Sequence, residues 1–405
     1  MRRRLALDGL NFCLADAASV LGPILGVFLL TQHQWDQASI GLVAMIGGLT
    51  GIAVKVPIGA AIDATRHKRG LLVAALAGLS VAAIAVAMSP TWAMVAIASV
   101  VIALAQAVFG PSIAALTLGL FDRTHIAARM GRNGAFDHAG NVFAALLAGA
   151  IGSLVSQRAV FMLVPLFSLF AAFCALVIRP SDIDHERARG ADDGPAKGIA
   201  VAELLRHGSL LLLATCLALF HLANAAMLPL VGQRLALAHA GYESAMMSAC
   251  IVAAQLVMLP VALLCGAWAD RLGRRPILLV AFAVLPLRGF LYTLSDAPAW
   301  LIGVQLLDGI GAGVLGVMVP LVVADMTRGT GRYNFSLGGV AMVGGVGAAL
   351  SNAVAGAIVV SKGYDSAFMV LAVVAFAALL LLWGMLPETA PKPAGAIDDT
   401  IPRRI

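Results

Sequence analysis

The sequence predicts an all-α integral membrane protein: twelve transmembrane helices forming two pseudo-symmetric six-helix bundles. Three observations carry this reading. Hydrophobic residues make up 61% of the 405-residue chain and charged residues 12%, against roughly a quarter charged in soluble domains. Apolar stretches of about 20 residues or more, each able to cross a bilayer, recur along the whole length. A short loop also occurs twice. One copy runs Gly266-Ala-Trp-Ala-Asp270-Arg271-Leu272-Gly273-Arg274-Arg275, the other Gly59-Ala-Ala-Ile-Asp63-Ala-Thr-Arg66-His67-Lys68-Arg69, and both Gly59 to Gly266 and Asp63 to Asp270 are separations of 207 positions.

Taken in order, the first six spans fall at 5–30, 38–62, 70–88, 92–120, 133–155 and 159–178, and the second six at 209–235, 243–267, 276–295, 299–325, 334–361 and 365–386. Span 1 follows Met1-Arg-Arg-Arg4 and continues to Leu30. It is too long for a signal-peptide core and has no convincing small-residue cleavage site. Gly22 and Gly26 in span 1, and Gly47 and Gly51 in span 2, stand four apart, the spacing that lets helices approach closely in lipid. Helices are the expected form throughout. Backbone groups in lipid must be satisfied within a segment or a closed barrel, and the runs lack the alternation of barrel strands. The five cysteines, Cys13, Cys174, Cys216, Cys250 and Cys265, all lie inside apolar runs. They form no disulfide framework and have no metal-ligand spacing.

The connections set the orientation. With the N-terminus inside, 22 of the 27 Lys and Arg fall on one side; Arg158, Arg234 and Lys362 flank the other, and Lys55 and Arg288 lie within spans. This is the positive-inside pattern, and it places both termini in the cytoplasm. The expected location is the plasma membrane, or the inner membrane in a Gram-negative cell. The net charge of +6 is thus a topology signal, and no nucleic-acid partner is expected. The domain reading is an N-terminal bundle at 1–178, a polar cytoplasmic linker at 179–208, a C-terminal bundle at 209–386 and a Pro-rich tail at 387–405.

The repeat extends beyond the loops. Phe12-Cys-Leu-Ala-Asp16-Ala-Ala18 in span 1 matches Phe220-His-Leu-Ala-Asn224-Ala-Ala226 in span 7, and Arg129-Met-Gly-Arg132 before span 5 parallels Arg328-Gly-Thr-Gly-Arg332 before span 11. Internal repeats of this kind belong to transporters, whose sites lie near the midplane between the repeats.

Six plus six spans, with Gly-x-x-x-Asp-Arg-x-Gly-Arg-Arg after the second span of a half, resemble the major facilitator superfamily over nearly the whole chain. The C-terminal loop fits that pattern closely. The N-terminal loop has Ala64 where Arg is usual and Arg66 where Gly is usual. The resemblance implies two bundles rocking about a central cavity lined by spans 1, 4, 7 and 10 with 2, 5, 8 and 11. It further implies that the loops form a conformational latch: Gly59, Asp63 and Arg69 in one copy; Gly266, Asp270, Arg271, Gly273, Arg274 and Arg275 in the other. Asp63 is expected near the start of span 11 and Asp270 near the start of span 5. Drug/proton antiporters of the superfamily carry a Gly-Pro stretch in span 5 and an Arg in span 4. Gly140 to Gly149 lacks that proline, and Ala103 stands three before Gln106, so standard multidrug export is not the expectation.

Ionisable groups inside the membrane cost about 3 kcal/mol each on insertion scales and so call for a reason. Asp16 lies about 16 Å along span 1, near the midplane. Its repeat partner is Asn224, with His221 on the same face of span 7. Asp16 is a candidate proton or cation site and His221 and Asn224 are candidate substrate ligands; an interhelical hydrogen bond is the structural alternative. In span 5, Asp137, His138 and Asn141 share a polar stripe, either lining the cavity or joining a network with Arg129 or Arg132. Gln106, Gln255 and Gln305 sit at intermediate depth on cavity spans and are candidate substrate contacts or packing contacts. Arg288 and Asp308 lie at matching depth on adjacent spans, which predicts an ion pair with a structural, coupling or anion-binding role. Lys55 is expected to snorkel from the basic end of span 2. The letters Gly311-Ala-Gly313-Val-Leu-Gly316 mimic a dinucleotide fingerprint, but they sit inside span 10 with no preceding strand and are read as helix packing.

The functional expectation is a monomeric secondary active transporter, surrounded by membrane lipid, for a small polar or amphipathic solute. Protons are the expected coupling ion, and export by antiport is favoured. No cofactor or resident metal is expected. The alternatives are a carrier of a metal ion or metal-chelate using Asp16, His221 and His138, proton-coupled uptake of an organic solute, and, remotely, an intramembrane enzyme or receptor-like protein. No P-loop, His-Glu-x-x-His or Gly-x-Ser-x-Gly occurs in the sequence, so it is not expected to be an enzyme.

Overall fold

The structure is a computed structural model describing residues 2–19, 21–121, 123–184, 208–327 and 333–390. Some side chains within those segments, including those of Asp16, Asp63 and Asp270, also lie outside the description. All regular elements among the described residues are helical. The first half contains α1 (Arg2–Ser19), α2 (Leu21–His33), α3 (Gln37–Ala64), α4 (Lys68–Met88), α5 (Trp92–Leu120), α6 (Arg123–Leu154), α7 (Gln157–Val160) and α8 (Leu163–Val177), then a 3-10 turn at Pro180–Asp182. The second half contains α9 (Gly208–Asn224), α10 (Met227–Ala238), α11 (Glu243–Leu272), α12 (Arg274–Leu291), α13 (Pro298–Met326), α14 (Tyr333–Lys362) and α15 (Tyr364–Met385).

Nine stretches among the described residues are long and apolar enough to cross a membrane. The remaining three of the twelve spans carry the heaviest polar load: α1 with Asp8, α6 with its Asp137 stripe, and α12 with Arg274, Arg275 and Arg288. Spans 6 and 7, expected to be continuous, are each broken: α7/α8 and α9/α10. In span 7 the cause is visible. The Ala226 N–H donates to the Ser351 hydroxyl on α14 at 3.0 Å, so a side chain from another helix replaces a partner in the helical ladder. In span 6 the Ser156 hydroxyl caps α7 by accepting from Ala159 N–H at 3.1 Å.

Each half has its own buried apolar core. One runs from Ala6 to Ile183 and takes in Ala236 and Met247; the other runs from Leu210 to Leu386. The halves join chiefly through α3 on α14 and α6 on α11, with α2 on α10 beside them. Their close approaches fall toward the end opposite the loop-cation face. A Cβ at Gly41 would overlap the Asn352 carbonyl, and one at Gly356 the Gln37 carbonyl. Gly149 and Gly152 receive Ser248 and Ser244 in the same way. The missing side chains are what let these backbones touch. Toward the basic face the same helices expose Lys55, Val56 and Pro57 on α3, and Leu259, Leu263 and Leu264 on α11. Among the described residues, the closest backbone approaches between the halves gather at the end opposite the basic face. The Gly311 region is helical packing: its neighbour Gly309 abuts the Ala254 carbonyl of α11, and Gly313 abuts Met258.

Candidate polar site between and within the bundles

The most complete polar network lies in the second half. Arg288 on α12 is 1% exposed. Its Nη1 donates to Asp308 on α13, and its Nη2 donates to Asn224 Oδ1 on α9 at 2.7 Å. The other Asp308 oxygen accepts from Gln305 Nε2 at 3.0 Å. The Tyr292 hydroxyl in turn donates to Gln305 Oε1. Gln305 and Tyr292 are wholly buried. The expected Arg288–Asp308 proximity is therefore present, and Asn224 joins it. Sequence reading missed Tyr292, which lies one helical turn beyond Arg288 on the same face, a spacing visible in the sequence. Pairing offsets much of the desolvation cost of both charges, while Arg288 Nε is buried without a hydrogen-bond partner. Gln305 is committed to this network rather than to the cavity.

Asn224 closes α9 at the break of span 7. His221, one turn earlier, is partly buried with its ring against Gly344 of α14. Asp16, the counterpart of Asn224 in span 1, lies in α1, but its side chain is outside the described residues.

In the first half, Asn141 Nδ2 donates to Asp137 Oδ2 at 3.3 Å, and both residues share α6 with His138. His138 is partly buried, and its buried Nδ1 has no hydrogen-bond partner. The expected alternative partners, Arg129 and Arg132, are engaged elsewhere. Both bind Asp8 of α1, at 2.7 and 2.8 Å, and Arg129 Nε also donates to Asn133, which donates to Thr117. Asp8 is 3% exposed. It escaped sequence reading because it stands close behind a run of arginines at the span's start. Gln106 is exposed on α5 and Gln255 is half-buried on α11.

The repeated loops use their cations within each half rather than across the halves. Arg69 donates to the Leu176 and Ile178 carbonyls at the end of α8. In the other loop Arg275, which matches Lys68 by the 207-position offset, donates to the Trp383 carbonyl at the end of α15. Leu176 and Trp383 are themselves 207 positions apart. Lys68, 1% exposed, reaches the Ile62 carbonyl at 2.5 Å, and Arg274 pairs with Asp325 at 3.1 Å. Arg271 is exposed, and Gly59 and Gly266 face open space. Gly273 has φ +86°, and a Cβ there would press on Glu388. Glu388 accepts from the N–H groups of Arg274 and Arg275 at 2.8 and 3.1 Å. Burial pushes its carboxyl up, but the N–H groups of Ala390, Arg274, Arg275 and Thr389 outweigh that, and it titrates below the usual value. The side chains of Asp63 and Asp270, and those at the start of α14, fall outside the description, so their expected cross-half contacts do too. The same holds for linker residues 185–207.

Comparison with known proteins agrees with this architecture. The family model described as Major Facilitator Superfamily matches residues 8–262 and 215–400. The uncharacterized MFS-type transporters MT2531 and Rv2456c of Mycobacterium tuberculosis are each 48% identical over 388 residues, covering 95% of this chain and 93% of theirs. A mutant of the nucleoside transporter NupG superposes with a TM-score of 0.77 at 14% identity, covering 95% of this chain and 100% of that one. A second NupG structure gives 0.70 at 15% identity, covering 94% and 99%. At such identity these two structures speak for the fold alone. Family model, relatives and twelve-span architecture together show that the chain belongs to the Major Facilitator Superfamily and is a multi-pass membrane transporter, not an enzyme.

Proposed function

We propose that the chain is a proton-coupled antiporter that exports a small polar or amphipathic solute by alternating access. The observation that carries this reading is the close packing of α3 on α14 and α6 on α11, tightest among the described residues at the end opposite the basic face, with polar side chains of both halves behind it. Positive-inside orientation puts the basic face in the cytoplasm, so this conformer faces inward, with 1–178 and 209–386 as the two moving bodies. Asp137, His138 and Asn141 from one half and His221 from the other are the solute contacts we favour, with Gln106 and Gln255 at the flanks. Asp137 and Asp308 are intramembrane carboxylates able to carry protons. The sequence holds no nucleotide-binding P-loop, which leaves an ion gradient as the drive within this chain. Among the described residues no group of three His, Cys, Asp or Glu side chains is placed to hold a metal, so the solute reading is preferred to metal carriage.

The test is a thermal-stability screen of the purified protein against a solute panel, then flux of the hits into proteoliposomes under an imposed pH gradient. Gradient-driven movement of at least one hit is expected. Folded protein that moves nothing across a broad panel overturns the proposal.

A further inference from the structure

We propose that the solute is a zwitterion, its anionic group held by Lys55 on α3 and its cationic group by Asp137 on α6, a substrate class that rests on the solute-carrier reading above. Lys55 is expected from the sequence to snorkel, but its position on α3 directs it elsewhere. Three residues before it, Ile52 abuts Gly345 of α14; four residues before it, Gly51 lies against Ala103 of α5. Residues three and four apart share a helix face, so Lys55 falls in the angle between α14 and α5, one turn nearer the basic face. Leu42, Leu49 and Val56, seven apart, form an exposed apolar stripe on another side of α3, the side suited to lipid. The Lys55 side chain is exposed, and no hydrogen bond or ion pair to a described residue engages it. Arg129 and Arg288, by contrast, are committed to Asp8 and Asp308.

Asp137 answers Lys55 from α6. On that helix Gly140 receives the Phe12 carbonyl of α1, and Gly152 receives Ser244 of α11. At 3.6 residues per turn Asp137 lies midway between those two faces, about 60° from each. Phe143 and Leu146 occupy the opposite, exposed side. The repeat sets the relative depth. Gly140 and Gly347 are 207 positions apart and play the same part, each admitting the backbone of its half's first span, at the Phe12 and Ala218 carbonyls. The halves of this fold are related by an axis along the membrane normal, so Asp137 lies at the depth of its counterpart Gly344. Gly345, the next residue, is where Ile52 docks. Lys55 and Asp137 therefore differ in depth by about one turn, on the order of 5 Å. His221 packs on Gly344 in the same band, and Gln106 enters it from α5, three residues beyond Ala103.

The substrate class follows from the charges. Asp137 bonds the neutral Asn141 and forms no ion pair with a described residue. A cation and a carboxylate that the protein leaves unpaired each carry a desolvation cost when the cavity closes, and an opposite charge offsets it. A zwitterion offsets both at once; a singly charged solute strands one of them. The Lys55 ammonium is a compact point charge suited to a carboxylate, sulfonate or phosphate. Asp137 accepts from an ammonium or guanidinium, with the Asn141 amide beside it.

The experiment measures equilibrium binding to full-length protein in lipid nanodiscs. The probes are α-amino acids, linear ω-amino acids and aminoalkyl phosphonates, each with the matched amine and the matched acid. At least one zwitterion is expected to bind, with its amine and its acid about tenfold or more weaker. Lys55→Gln is expected to abolish the preference for the zwitterion over its amine, Lys55→Arg to keep it, and Asp137→Asn to abolish the preference over the acid. A panel in which no zwitterion binds, or discrimination that survives in Lys55→Gln and Asp137→Asn, overturns the proposal. A second measurement needs no solute. In protein with its five cysteines replaced, Gln106→Cys is labelled by an anionic and a cationic methanethiosulfonate of like size. The ratio of anionic to cationic rate is expected to fall several-fold on adding Lys55→Gln; a ratio indifferent to that change overturns the placement of Lys55 and the substrate class with it. A zwitterion that binds through Lys55 but moves without protons supports this proposal and removes proton coupling alone. Proton-driven flux of an uncharged solute does the reverse.

Discussion

Gln37 donates to the Tyr364 hydroxyl at 3.0 Å, tying the first turn of α3 in one half to the first turn of α15 in the other. It sits in the sealed end, beside the contact of Gly356 with the Gln37 backbone. An alternating-access protein must break this seal on every cycle, so its contacts should be individually modest. A hydrogen bond of this kind contributes about 1 kcal/mol net. Tyr364→Phe is expected to speed opening of that end with little change in thermal stability.

Overfilling the seal should do more. Gly41→Val puts side-chain atoms against the Asn352 carbonyl, and overpacking a tight contact costs about 1–3 kcal/mol. The seal exists in one conformer only, so the cost falls on that conformer. The expected outcome is a population shift of roughly tenfold toward the state open at that end, where 1.4 kcal/mol corresponds to a factor of ten. Accessibility of the sealed end to a membrane-impermeant thiol reagent, probed at Ala38→Cys, reads it directly.

The Asp8–Arg129 pair should behave in the opposite way, as a fixed strut. Both residues are nearly fully buried, at 3% and 5% exposure, and they join α1 to α6 inside one half. Asp8→Ala strands a buried cation, a loss of about 3–5 kcal/mol, and is expected to lower the unfolding temperature sharply. Arg132→Ala, whose side chain is 54% exposed, should cost about 1 kcal/mol or less.

The Glu388 clasp predicts a pH effect with a definite sign. Its carboxyl titrates below the ordinary value of 4.5 because backbone N–H groups outweigh its desolvation. Stability from the clasp is therefore fully present above pH 4.5 and lost as pH falls through the depressed folded value. The carboxylate is exposed, so the effect is small, a few tenths to about 1 kcal/mol. Glu388→Gln should remove that part of the acid dependence, measured as unfolding temperature against pH.

Much of the fold was legible because lipid allows so few backbone solutions. Apolar runs, cation asymmetry and the 207-residue repeat each speak directly to helix count and pairing. The Arg288–Asp308 pair was legible for the same reason: depth along a helix follows from residue count. What stayed hidden depends on partners from other helices. The break after Asn224 needs Ser351 on α14; the clasp on Arg274 needs Glu388, 114 positions away. Asp8 was obscured by its neighbours, since an acid among arginines at a membrane edge reads as surface. The resemblance makes the loops a latch with Asp63 and Asp270 as the contacts across the halves; those two side chains lie outside the described residues, and the described cations bind carbonyls and acids of their own half.

Proton coupling of solute movement is the central claim. The most direct measurement places a pH-sensitive dye inside proteoliposomes at equal internal and external pH and adds each solute that stabilises the purified protein. The account predicts a solute-dependent pH change that is opposite in direction to solute movement and absent from protein-free vesicles. Solute uptake with no accompanying proton movement would contradict it.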